Sequence, residues 1–531
     1  REAQEEAQIM LDPVAMPHLA DIPRVQAGRI PEKPAFWFEG ETTTFGELDT
    51  RANQVANGLV ALGVQPGDRV AYLGKNMAVY YEMLFGCAKA RAAMTGINNR
   101  LAPPEMQFIL SDSESKILFV SADFYEAATK IASQCPELKQ IIAIDGGHEE
   151  WPAYADWRDS QNTDAPGISP QGSDDVIQLY TSGTTGLPKG VMLTNDNYRA
   201  VFEEAGKLAW SAYEEGEVVM NAMPLFHVAG CNIGILATAQ GAKTVVLREI
   251  DPKVILDLVE EHKVNHTFWV PAVILMLSQY PGVDDRDFSS LKTISYGASP
   301  IAEDLLKRAV DLFGAKFTQL YGLTETVGLG TYLPPEAHDP SWGKLRSCGV
   351  PYPTSVVRVV DGDDKPLPTG EVGEIVIKGG FVMKGYWHRE EATDEALEGG
   401  FFHTGDAGYV DEDGFLYIHD RIKDMIVSGG ENVYPAEVEN AVFGHPAVAD
   451  VAVIGIPSEK WGEEVKAIVV LKEGEQATAE DIIAWTREKI AGYKCPKSVD
   501  FADALPRNPS GKILRKDLRE PYWEGTDRRV S

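Results

Sequence analysis

The decapeptide Thr181-Ser182-Gly183-Thr184-Thr185-Gly186-Leu187-Pro188-Lys189-Gly190 combines three glycines with four hydroxyl side chains and closes on a lysine and a glycine. Glycines let the backbone curl until successive N–H groups face one point, and hydroxyls and an ammonium add donors there, which is the composition of a phosphate cradle. Asp175 to Tyr180 before it and Val191-Met192-Leu193 after it read as strands. The loop is therefore expected to join two strands as a flap, holding anions with amides and hydroxyls rather than with a helix N-terminus. The spacing of Gly183, Gly186 and Lys189 does not fit G-x-x-x-x-G-K-S/T, which excludes a standard P-loop nucleotidase. A Ser/Thr/Gly tract alone would be a flexible linker; the Pro188-Lys189-Gly190 ending and the flanking strands argue for a built loop.

Taken singly, the other residues able to do chemistry have ordinary readings. Glu325 would be a solvated glutamate at a helix start, Asp406 beside Gly405 a turn former, and Lys512 a surface lysine. His227, after the buried-looking run Val218 to Phe226, would be a satisfied structural histidine.

Their sequence context changes this. YTSGTTGLPKG at 180–190 resembles the signature loop of the adenylate-forming ligases, which include acyl-CoA synthetases, the adenylation domains of peptide synthetases and firefly luciferase. Three further signatures follow in that family's order, so the resemblance covers nearly the whole chain. It implies ATP contacts from Thr181, Ser182, Gly183, Thr184, Thr185, Gly186 and Lys189. An adenine ring needs a flat groove of backbone with one aromatic face; Gly297, Ala298 and Ser299 would form one wall and Tyr321 the stacking face, beside Gln319, Gly322 and Leu323. In the second signature, YGLTET at 321–326, Thr324 would contact the α-phosphate and Glu325 would hold Mg²⁺, an ion that takes hard oxygen ligands, usually one or two carboxylates and phosphate oxygens. HTGDAG at 403–408 is similar to the third signature, in which Asp406 binds the ribose hydroxyls. In the fourth, Arg421 would touch ribose or phosphate, Lys423 matches the hinge, and Ser428, Gly429 and Gly430 would face the coenzyme A tunnel. Pro506 to Lys512 matches the closing P-x-x-x-x-G-K element, whose lysine bridges the carboxylate and the α-phosphate as charge migrates between them.

The same resemblance places His227 between the acyl pocket and the thiol tunnel. Amino-acid-activating relatives commonly carry an aspartate at about the next position, where this chain has Val228. A buried ammonium without a counter-charge is costly, so the substrate is not expected to be an α-amino acid. Gly230 and Cys231 are expected to leave room for an apolar tail, with Pro271 and Gly322 facing the same pocket.

Several elements must position these residues. Phe36-Trp37-Phe38 reads as a strand, and Thr44 to Glu47 has the form of a capping box opening an amphipathic helix of Leu48, Ala52, Val55, Leu59 and Leu62 that Gly63 stops. A strand at 69–73 and a helix through 80–90 follow; Asn76 between them could face a ligand but reads more simply as a helix cap. Residues 145–171 are polar and rich in Gly and Pro, a surface linker. Alternating strands and helices imply an α/β fold; the resemblance implies a large N-terminal domain of mixed sheets with flanking helices over 1–421 and a small mobile C-terminal α/β domain over 422–531, hinged near Lys423. Pro521-Tyr522-Trp523 is expected to dock on the body.

The chain has 531 residues, enough for more than one core, and a formal net charge of −31 that speaks against nucleic acid or an acidic membrane surface as a partner. Any ATP site must then be a local positive exception. Cys87, Cys135, Cys231, Cys348 and Cys495 contain no C-x-x-C pair, which suggests a reducing compartment and no structural zinc. No run approaches the ~18 apolar residues of a membrane span. Residues 1–12 are expected to be disordered or a cloning remnant, and the localisation cytoplasmic.

The expected activity is ATP-dependent, AMP-forming ligation of a hydrophobic carboxylic acid (fatty, aryl or steroid side-chain) to coenzyme A, with ATP, Mg²⁺ and coenzyme A as cofactors and a homodimer as a possible assembly. The alternatives are an adenylation protein that loads a carrier protein and a non-catalytic protein that binds a nucleotide or acyl adenylate.

Overall fold

A computed structural model describes residues 16–181, 188–299, 301–421, 424–428, 431–458, 461–490, 492–507 and 513–523. The larger part of the chain is built on three sheets. The first has nine strands, with Lys316–Gly322, Thr293–Gly297 and His266–Trp269 as parallel neighbours near one side. The second has seven, with Asp175–Thr181 parallel to Ala93–Gly96 and antiparallel to Lys189–Thr194. The third is a four-stranded antiparallel sheet that ends on Phe402–Val410 and Leu416–Arg421.

Helices Phe45–Ala61, Val79–Lys89 and Val228–Gln240 share one core with strands of both large sheets, through Leu48, Val55, Tyr80, Phe85, Cys231 and Ile235 against Phe36, Val70, Ile177 and Val246. Burying each large apolar side chain of this set contributes roughly 1.5–3 kcal/mol. The first helix starts as its sequence predicts: Thr44 Oγ1 accepts from Glu47 N, and Glu47 Oε2 accepts from Thr44 N at 2.8 Å.

After Arg421 the chain changes sheets. Ile426–Ser428, Glu431–Val433, Val448–Ser458, Gly462–Leu471 and Ser498–Phe501 form a separate five-stranded sheet. Helices Pro435–Phe443 and Ala479–Arg487 cover it through Val438, Val442 and Ile482. The molecule is thus an α/β protein with a large N-terminal and a smaller C-terminal domain. Its terminal helix, Arg515–Trp523, docks on the small sheet: Trp523 Nε1 donates to Gly455 O at 3.0 Å and Tyr522 OH to Asp500 at 2.6 Å.

Two local expectations are corrected. Asn76 is neither cap nor ligand contact; its buried amide donates to the carbonyls of Met223 and Leu247 and accepts from Leu225 N, so it fastens the loop after strand Arg69–Leu73 to the nine-stranded sheet. The polar stretch 145–171 is not all surface linker. It holds helix Tyr154–Asp159, whose Tyr154 OH and Arg158 guanidinium both donate to the buried Glu82 at 2.9 Å. Aromatic burial secures the same segment, with Tyr154 in the main core and Trp157 packed against Phe119.

Candidate active site

Thr181 pairs with Lys189 at the end of a strand hairpin, so the phosphate-cradle sequence joins two antiparallel strands of one sheet. Ser182, Gly183, Thr184, Thr185 and Gly186, which fill the loop, lie outside the described residues, as do Lys423, Gly429, Gly430 and Lys512. For Arg421 the backbone alone is described, as the last residue of its strand.

The base of the hairpin is heavily braced. The buried Arg69 guanidinium pairs with Asp175 at 2.6 Å, donates to Gln178 Oε1 at 2.9 Å, and stacks under the Trp387 ring at 3.5 Å. Tyr180 OH donates to Asp112, which also accepts from Arg389. Gly385–Tyr386 then adds an edge strand to Lys189–Thr194, with Tyr386 opposite Val191. Such pairing fixes both exits of the loop without using the loop itself.

Thr324 and Glu325 stand on a single 3-10 turn that follows strand Lys316–Gly322. Glu325 is buried at 8% exposure, and Tyr386 OH donates to its Oε1 at 2.9 Å. Lys189 Nζ lies 5.0 Å from the centre of the same tyrosine ring. A buried carboxylate with one oxygen held by a phenol is a hard-oxygen donor that fits Mg²⁺ arriving with phosphate oxygens. The turn closes through Val327 at φ 52, a strained setting for a β-branched residue, and Asn232 Nδ2 holds the Val327 carbonyl at 2.9 Å. Tyr198 OH in turn donates to Asn232 Oδ1 at 3.0 Å.

The proposed adenine walls are neighbours because their strands are parallel, with Gly297 opposite Leu320. A Cβ on Gly297 would lie 2.1 Å from Leu320 O, so the glycine permits close strand approach. Ala298 holds φ 66, a left-handed conformation unusual for alanine, and is exposed beside the half-buried Ser299. Tyr321 OH donates to Asp406 at 2.8 Å, while Gln319 packs behind it and donates weakly to Cys348 Sγ at 3.9 Å. Burial and the adjacent Asp406 carboxylate push the Tyr321 phenol well above its ordinary range, so it remains a donor. Leu323 and Gly322 are partly exposed at the same strand end; a Cβ on Gly322 would lie 2.2 Å from the backbone of Gly328.

His227 is the cap residue of helix Val228–Gln240. Its Nε2 is buried without a partner in the described residues, and burial with the nearby Arg100 charge holds the imidazole down at about 4, hence neutral near pH 7. Val228 is partly exposed and would contact a Cβ on Gly328, so this helix end abuts the turn that carries Glu325. Gly230 and Cys231 do not open a pocket. A Cβ on Gly230 would meet Pro224 O at 2.0 Å, and Cys231 is fully buried in the main core with its thiol pushed up to about 12. The small size of Gly230 serves the close return of the chain before the helix.

Arg507 and Ile513 bracket the segment that bears Lys512 and pair with each other across an antiparallel bridge. Both line a cavity of about 110 Å³ together with Ser299, Ile301 and Pro271 of the large domain and Asn440 of the small one. The cavity's arginines are partnered: Arg507 with Asp450 at 2.6 Å and Arg515 with Glu439 at 2.8 Å. Ser428 is buried, its backbone pairing with Glu431 and Gly462.

Sequence reasoning missed Tyr386 and Asn232. Gly385-Tyr386-Trp387 did carry a signal, a short aromatic run after a glycine, but nothing local ties it to a carboxylate 61 positions earlier. Among the described residues no helix is long and apolar enough to cross a membrane.

Comparison with known proteins bears on all of this. Residues 23–387 match the family model described as AMP-binding enzyme, and residues 437–512 that of the AMP-binding enzyme C-terminal domain. A fatty acid–[acyl-carrier-protein] ligase, ScoC, of Streptomyces coeruleorubidus is 40% identical over 503 residues, 94% of this chain and 96% of that protein. A feruloyl-CoA synthase of an Amycolatopsis species is 40% identical over 506 residues, covering 95% and 99%. The crystal structure of the anthranilate CoA ligase AuaEII in complex with anthranoyl-AMP superposes with a TM-score of 0.88 at 27% identity, over 95% of this chain and 97% of that one.

Proposed function

The chain belongs to the AMP-binding enzyme family, and from that premise we propose that it is an acid–thiol ligase that activates a hydrophobic carboxylic acid with ATP and transfers it to coenzyme A. A carboxylate is a poor acylating agent because its leaving group would be oxide. Attack of its oxygen on the α-phosphorus expels pyrophosphate and gives an acyl adenylate; the thiol then attacks the carbonyl and AMP departs.

The observation that carries this reading is the shared cavity of Ser299 and Pro271 with Arg507 and Ile513, the residues on either side of the Lys512 segment. It supports a role for Lys512 beside the nucleotide and acyl walls. In the first step the loop from Ser182 to Lys189, Thr324 and Lys512 would gather phosphate charge, a task of positioning and electrostatics. Glu325 would hold Mg²⁺, which when bound supplies charge neutralisation at the phosphate oxygens. Asp406, with Arg421, would fix the ribose and Tyr321 would face the adenine. The neutral His227, whose buried Nε2 has no partner in the described residues, stands at the start of the helix that Val228 continues and would meet the acyl group or the incoming thiol.

For the second step the small domain would turn about Lys423, within the stretch where the chain changes sheets between Arg421 and Ile426, and bring Ser428, Gly429 and Gly430 to the thiol's path. We place the domain boundary there, at 421/422. Val228, where an amine-binding aspartate would stand, favours an acid without an α-amino group. Fatty and aryl acids are both compatible, and the two relatives above are named for one of each.

A second reading is favoured by one observation: one of the 40% identical relatives is named for ligation to an acyl carrier protein. A panel of carboxylic acids with ATP and Mg²⁺ separates these readings. Acid-dependent pyrophosphate release followed by acyl-CoA formation is expected; transfer to a phosphopantetheinylated carrier protein and not to coenzyme A would select the second. No acid-dependent release would contradict both and leave a binding protein.

A further inference from the structure

Two charges of opposite sign, the Glu325 carboxylate and the Lys189 ammonium, meet the same aromatic side chain from different directions. Tyr386 OH donates to Glu325 Oε1 at 2.9 Å, and Lys189 Nζ sits 5.0 Å from the ring centre. A phenol suits both neighbours, since its hydroxyl proton is attracted to an anion and its ring face to a cation. Lys189 stands in the seven-stranded sheet and Glu325 on the 3-10 turn that follows a strand of the nine-stranded one, so nothing local in the sequence sets their separation.

The tyrosine itself is rigidly placed. Its backbone pairs with Val191 in the exit strand of the phosphate loop, and its N–H donates to Thr393 Oγ1 at 2.9 Å. Next to it, Met383 N donates to the Glu325 carbonyl and Trp387 N to the Gly190 carbonyl, each at 2.7 Å. Trp387 is pinned in turn by Arg69 and by its own indole N–H on Asp112 O at 2.9 Å. The segment 383–387 is thus stitched to the Glu325 turn on one side and to the loop's exit on the other.

Resting on the proposed ligase reading, we propose that Tyr386 is a positioning residue that spaces Glu325 from Lys189 and orients the carboxylate for the metal-bound triphosphate. The hydroxyl holds one carboxylate oxygen while the ring face takes the ammonium, so the two charges meet the tyrosine and not each other there.

The test is calorimetric titration of ATP, with no acid or thiol present, into the full-length protein at a series of Mg²⁺ concentrations. Tyr386→Phe keeps the ring under Lys189 and removes only the donor. It is expected to leave metal-free ATP affinity within about twofold and to raise the Mg²⁺ concentration for half-maximal enhancement roughly tenfold, the scale of one lost hydrogen bond to a charged group. Tyr386→Leu removes both contacts and is expected to weaken metal-free ATP binding as well. Adding Tyr386→Phe to Glu325→Gln is expected to change nothing further, which makes the result independent of any general loosening. A Tyr386→Phe protein with unchanged Mg²⁺ dependence, or one equally weakened with and without Mg²⁺, would overturn the assignment. Absence of any ATP binding by the wild-type chain would instead count against the ligase reading itself.

Discussion

The Tyr321 hydroxyl donates to the Asp406 carboxylate across 2.8 Å, tying the end of a strand in the nine-stranded sheet to a strand in the four-stranded one. Asp406 is 6% exposed, so removing either partner leaves a buried polar group short of a bond. Asp406→Ala is expected to raise the KM for ATP about 10- to 100-fold, and Tyr321→Phe less than tenfold. Initial rates of pyrophosphate release for the single and double variants should reveal a coupling of about 1–2 kcal/mol; strictly additive effects would show that the contact is incidental.

Gly230→Ala tests whether this glycine makes room for substrate or for backbone. With its Cβ forced to 2.0 Å from Pro224 O, the alanine variant should lose at least ~1–3 kcal/mol of stability, read as a lower Tm, while preference among acids of different length stays the same. A stable variant with shortened chain-length preference would restore the pocket role.

Arg69→Met should be costly for a different reason. It leaves Asp175 buried at 6% side-chain exposure with only Lys384 Nζ, at 3.0 Å and half exposed, as its remaining ion partner among the described residues. A loss of about 3 kcal/mol in denaturant unfolding is expected, the low end for a broken buried pair because Lys384 compensates in part. No loss would mean that the brace beneath the loop is redundant.

Acid should destabilise the protein through His227. Its imidazole is held at about 4 in the folded chain, against ~6.5 when unfolded. Between those values the unfolded chain binds a proton that the native one does not, so this contribution is complete above about pH 6.5 and is lost as pH falls toward 4. His227→Phe should therefore flatten the fall in Tm between about pH 7 and 5; an unchanged slope would contradict the burial of this ring.

What was legible in the sequence was what local chemistry determines. The capping box at Thr44 and Glu47, the hairpin around the phosphate loop and the strand–helix order of the small domain follow from neighbours in the chain. Asn76, Tyr386 and Asn232 were not legible, because each acts on backbone or carboxylate groups brought close only by tertiary packing. Gly230 shows the converse limit. A small residue reads equally as open space or as close contact, and only the position of Pro224 O decides between them.

The most direct test of the central claim is Lys512→Ala in the two half-reactions, measured separately. The account predicts that acid-dependent pyrophosphate release falls by about 10²-fold or more, the scale of one preorganised electrostatic contact, while thioester formation from a supplied acyl adenylate proceeds near the wild-type rate. Equal loss in both half-reactions, or adenylation that survives the substitution, would contradict it.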